Sequence, residues 1–235
     1  MIHHNTSPPS PANLSPTAIL DFSHANVQRL VATVSQANIS SRTFLQMMHL
    51  HLVQVIRPVY SVKERQPVSA TLERGRGSCS QRMASLEAAA RVAGIPTRVH
   101  ALTIRGCFWY PRFRFSRFFI PKNILLVWPQ FFFENTWVDL AELHASMDQL
   151  AGRDPTGFTN DGESLFEAIT HTPVDFLGQT CAIRCAKPEH NLSRFLETDN
   201  GFFDTRDEAF ERLGCFQDTI RGKAFEMIFG DQRSS

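Results

Sequence analysis

Apolar residues recur at helical spacing in three stretches of this chain and run almost without interruption in a fourth. Val27, Leu30, Val31 and Val34 form one stripe between His24 and Ala37. A second stripe, Phe44, Leu45, Met48, Leu52, Val53 and Ile56, starts after Ser40 or Ser41. It ends at Arg57-Pro58, because a residue before proline avoids helical angles. The third, Met83, Leu86, Ala89, Ala90 and Val92, follows Ser78 and Gln81, which are spaced to form a capping box. Gly94 is a left-handed stop and Pro96 blocks continuation, so the spacing predicts a helix from about Cys79 to Ala93. Ile124 to Phe133 is the continuous run, which reads as a strand covered on both sides. Glu134 to Thr136 is a turn, and Trp137 to Leu140 returns as the partner strand. Thr97 to Ile104 is a further strand, with Val99, Ala101 and Thr103 on one face and Arg98, His100, Leu102 and Ile104 on the other.

Weaker patterns fill the remainder. Residues 1–17 are rich in Ser, Pro, Asn and Thr and read as a disordered arm. Ser61 to Arg74 is a short helix or loop with a solvated charged face. Short helices are predicted over Glu142 to Leu150, Ser164 to Thr170, Asp207 to Arg212 and Ala224 to Phe229, with a loop from Gly152 to Gly162. The 235 residues then divide into the arm, a core over 18–150 and a C-terminal extension over 151–235 packed on it. A hydrophobic content of 43% can fill a substantial core. The net charge of +1 supplies no global field toward nucleic acid or membrane. Five cysteines at irregular spacing do not form a disulfide framework, which points to a reducing cytoplasm. No apolar run reaches the ~20 residues a membrane helix needs.

The chemistry starts at Cys79. Its place in a capped first turn, between flanking glycines, predicts a thiol whose pKa the helix dipole lowers. The surrounding "GRGSCSQRMASLEAAARVAGIPTRV" resembles the core motif of the transglutaminase-like superfamily, in which a nucleophilic cysteine opens a helix ending in Gly-Ile-Pro-x-Arg. "LVWPQFFFENTWVDL" resembles that family's second motif, with Trp128 and Trp137 at its two tryptophan positions. The family histidine falls on Leu126 and the family aspartate on Ala141. The resemblance covers about Val62 to Leu143. It implies an α+β fold of the papain-like kind, a cysteine helix packed on an antiparallel sheet, with N-terminal helices before it.

The resemblance also implies cysteine acyl chemistry, without a cofactor or metal. The missing histidine makes His100, on the neighbouring strand, the candidate base, with Asp139 near the missing aspartate; His144 and Glu142 are weaker substitutes. Trp128 and Gln130 are candidates for the substrate wall. Arg105 to Phe119 interleaves arginines 105, 112, 114 and 117 with seven aromatics. It is either an alternating strand or lid that buries phenylalanines and shows arginines to water, or a surface where Arg112 and Arg114 grip an anionic donor. Cys181, Cys185 and His190 lack a fourth zinc ligand. The expected function is a cysteine-dependent acyltransferase or amide-forming enzyme, acting on a small-molecule or carrier-protein-bound acyl substrate, with no membrane or nucleic-acid partner. A thioester donor fits best, because a thiolate leaving group needs little protonation. Two alternatives remain: an amidase or peptidase with a relocated base, and an inactive binding module.

Overall fold

The computed structural model describes residues 7–113, 115–160, 162–180 and 191–233. Arg114, Cys181, Cys185 and His190 lie outside the described residues. Helices α1 (Ala25–Val34) and α2 (Ser41–Val55) match the first two apolar stripes. A two-residue strand β1 (Arg57–Pro58) follows, then α3 (Val68–Arg74) and β2 (Arg76–Gly77), which pairs in parallel with β1. Gly75 closes α3 at φ +58°, the left-handed conformation that glycine adopts without strain. Helix α4 (Cys79–Val92) starts next, and Ser78 and Gln81 make the expected reciprocal capping box.

Strands β3 (Thr97–Arg105), β4 (Asn123–Phe133) and β5 (Thr136–Asp139) come next, then α5 (Met147–Arg153) and α6 (Leu165–Ala168). The chain ends with β6 (Leu196–Phe203), α7 (Arg206–Leu213) and α8 (Ile220–Phe229). The sheet is antiparallel, in the order β5-β4-β3-β6. Glu134 and Asn135 both have positive φ, so β4 and β5 join through a tight two-residue turn. The fold is therefore mixed α+β, with helices around an antiparallel sheet, as the residue pattern and the resemblance implied.

Helix α4 is more enclosed than its sequence suggests. Gln81 through Arg91 are all buried, although the periodicity predicted one apolar face. Met83, Leu86, Ala89 and Ala90 join Leu45, Met48 and Leu52 of α2 in one cluster. Ala84 and Ala88 join Val99, Ala101, Val127 and Phe210 in another. The charged side chains of α4 are paired or hydrogen-bonded inside. Arg82 meets Glu167 at 3.0 Å and Ser164 at 3.2 Å. Glu87 meets Arg206 of α7 at 2.6 Å, both side chains fully buried. Arg91 donates to the carbonyls of Ala12, Ser15, Thr97 and Asp204.

Those last bonds correct the reading of the N-terminal arm for residues 7–17. A short turn over Pro11–Leu14 is pinned under Arg91, and Asn13 is buried, donating to the carbonyl of Thr97 at 3.1 Å. Tertiary hydrogen bonds to Arg91 and Asp204 order a segment whose own composition gives no core. Strand β6 was not read from the sequence at all. It is an edge strand with a mostly exposed, polar face, so the apolar alternation that marks a strand is missing. The Arg105 to Phe119 stretch is not an alternating strand either. It contains two 3-10 turns, Gly106–Trp109 and Arg117–Phe119, and Phe113 between them packs on Phe225 and Phe229 of α8.

Candidate active site

Two cavities separate the residues that the sequence had grouped as one site. The first holds Cys79. Its apolar wall includes Phe108, Phe113, Ile120, Phe158, Leu165 and Phe225, with Leu126 and Val127 from β4. Its polar groups include Glu64, Ser80, Arg112 and Asn160. Its volume is about 1140 Å³ counting the space open to solvent at its mouth.

The local environment of Cys79 reverses the expected pKa shift. Burial pushes the thiol up to about 11. Arg82, a hydrogen bond from the Phe166 backbone and the more distant Arg112 oppose this, and Glu167 reinforces it. The helix start remains, but desolvation of a thiolate in an apolar wall outweighs it. Arg112 lines the same cavity, and its donors are engaged. Nε donates to Asn160 Oδ1 at 2.5 Å and Nη2 to the Glu163 carbonyl. Arg112 is therefore a fixed positive charge near the thiol, rather than an open grip for a phosphate.

Behind this wall lies a buried histidine that the sequence did not connect to the site. His49 Nε2 donates to the Phe166 carbonyl at 2.6 Å, and its Nδ1 lies 3.1 Å from His144 Nε2. Burial lowers the His49 pKa to about 4. Phe166 thus contacts Cys79 and His49 through its own peptide groups. Glu64 was also missed, as its segment read as a solvated charged face. It is the one carboxyl group lining the Cys79 cavity among the described residues. Its Oε2 is buried without a hydrogen-bond partner, and burial raises its pKa against a bond from Ser80 and the charge of Arg206.

The second cavity takes the other sequence candidates. Register places Arg98, Gln130 and Asp139 in one row across β3, β4 and β5. The next row is Phe202, His100 and Trp128 across β6, β3 and β4. All six residues line this cavity. Asp139 accepts from the Trp128 indole, from Gln130 at 3.4 Å and from the Ala141 amide at 2.9 Å. Burial raises its pKa while these bonds draw it down. His100 is bonded to Asp199 of β6 at 2.7 Å. His100 and Asp139 are therefore not partners of Cys79 in this structure: the strand register carries their side chains to the other cavity. Trp128 and Gln130 go with them, whereas Leu126, one row further, lines the cavity of Cys79.

Among the described residues no group of His, Cys, Asp and Glu side chains is arranged to hold a metal ion, and no helix is long and apolar enough to cross a membrane. Residues 36–141 match the family model of the transglutaminase-like superfamily. No curated protein and no solved structure gives a significant match to the chain. The matched region contains the cysteine helix, the three consecutive strands β3 to β5 and the positions of Leu126 and Ala141. Residues 36–141 of this chain are therefore similar in sequence to the core of the transglutaminase-like superfamily.

Proposed function

We propose that this protein transfers an apolar acyl group from a thioester through Cys79. The observation that carries the reading is the meeting of Cys79 and Arg112, distant in sequence, in one apolar-walled cavity. An acyl chain would lie against Phe113, Ile120 and Phe225 and place its carbonyl at the thiol. Attack forms a bond from the Cys79 sulfur to the acyl carbon and breaks the carbon–sulfur bond of the donor. The thiol proton then leaves with the donor's sulfur as a free thiol. Glu64, the cavity's carboxyl group, is the residue on which we place the relay of that proton. The acyl group afterwards passes to an acceptor amine or thiol. Leucine at position 126 removes the family's proton donor, and a thioester tolerates that loss better than an amide does. The donor's other half, a small thiol or a carrier-bound one, would enter by the open mouth.

Incubation with an octanoyl thioester of N-acetylcysteamine, followed by intact-mass and peptide analysis, tests this. One acyl adduct is expected on Cys79, and none on Cys79→Ala. An unmodified wild-type protein after prolonged incubation would reject the reading.

A second reading, an inactive acyl-binding module, is favoured by the raised thiol pKa together with Leu126 and Ala141. It predicts saturable binding of the same thioester with no adduct, and equal binding by Cys79→Ala.

A further inference from the structure

The second cavity contains a buried cation with an unused donor. Arg98 is 6% exposed, and its guanidinium lies close to two rings, 4.3 Å from the centroid of Trp137 and 4.1 Å from that of Phe202. Nε donates to Gln130 Oε1 at 2.9 Å and Nη1 reaches Ser7 Oγ at 3.4 Å. Nη2 is buried and has no hydrogen-bond partner among the described residues. No carboxylate among the described residues forms an ion pair with Arg98, although Asp204 and Asp139 act on it at longer range. Burial lowers its pKa to about 10, so it remains charged at neutral pH. A buried charge without an ion-pair partner is costly, and Nη2 is the donor that Gln130 and Ser7 leave unused.

The other walls define what can approach. Leu102, Trp128, Val174 and Phe176 supply apolar surface. The acidic groups there are mostly committed: Asp139 to Trp128, Gln130 and Ala141, and Asp175 to the amides of Leu177 and Thr180. His100 is held by Asp199. Glu142 lines the far side and contacts the Met147 amide at 3.4 Å.

We propose that this cavity binds a small organic carboxylate, its oxygens on Arg98 Nη2 and its apolar body against Trp128 and Phe176. A carboxylate shares the guanidinium plane and forms charge-assisted hydrogen bonds there. The site is separate from the cavity of Cys79, so its occupant is either a regulator or the acceptor half of a larger substrate, held by the same chemistry.

Isothermal titration of the full chain with benzoate and with octanoate, alongside tryptophan fluorescence, tests the proposal. Saturable binding of at least one of them is expected, with Arg98→Met weakening it at least about tenfold. Arg98→Met should also fold, because methionine keeps apolar bulk beside the two rings without a buried charge, and its thermal midpoint should no longer rise with ligand. Arg105→Gln, at an exposed position, should bind as wild type. Cys79→Ala should bind as wild type too, which separates this site from the acyl-transfer reading. Absence of saturable binding to wild type, or equal binding by Arg98→Met, overturns the proposal. Inorganic phosphate binding more tightly than both carboxylates overturns the apolar-body assignment.

Discussion

His100 bonds to Asp199 at 2.7 Å across the seam between β3 and β6, while Cys79 opens into a different cavity. A histidine paired with an aspartate is the arrangement that would orient a general base. Here the pair is complete, and the nucleophile it would serve is elsewhere. His100→Ala should therefore leave the rate of Cys79 alkylation by iodoacetamide within about twofold of wild type. A larger fall, measured by timed quenching and peptide mapping, would show that the two cavities communicate.

The thiol itself should behave as a weak nucleophile at neutral pH. With the pKa pushed up to about 11, the thiolate fraction grows with pH over the whole accessible range. Cys79 alkylation should climb about tenfold per unit between about pH 7 and pH 10, without a plateau. A plateau below about pH 8 would mean that the helix start and Arg82 prevail over burial.

His49 should make the fold acid-sensitive. Its pKa is about 6.5 when unfolded and about 4 when folded, lowered first by burial. Between these values the unfolded chain binds a proton that the folded chain refuses, so stability falls as pH falls through that window. The loss is about 3 kcal/mol in total. His144, lowered in the same direction by burial, adds to it. Urea midpoints measured from about pH 7 to pH 4 should show the slope, and His49→Gln, which keeps an N–H donor for Phe166, should flatten it.

Glu87 and Arg206 pair at 2.6 Å with neither side chain exposed. Arg206→Ala leaves Glu87 buried without its cation and should cost about 3–5 kcal/mol. Replacing both, as Glu87→Leu with Arg206→Met, should cost much less, because no charge is stranded. Denaturant unfolding of the single and double variants checks this; equal losses would place the energy in packing rather than charge.

Local chemistry made much of this protein legible in advance. Ser78 and Gln81 form the capping box their spacing announces, and Cys79 opens the helix, because a cap is settled within four residues. The same holds for α1, α2, β3, β4 and the turn at Glu134 and Asn135, where apolar period or turn chemistry acts locally. Arg98 was visible as the arginine of the Gly-Ile-Pro-x-Arg motif, though not as a cation without an ion partner.

Tertiary structure alone decided the partners. Strand register determines which row a side chain joins, and one row separates Leu126, beside Cys79, from Trp128 and His100 in the other cavity. The pKa of Cys79 depends on how much water the packed walls exclude, so the helix-start argument was outweighed by a quantity no short sequence window contains. The arm over residues 7–17 and the edge strand β6 are held by Arg91 and by pairing to β3. Their stability comes from distant residues, which composition and periodicity cannot register.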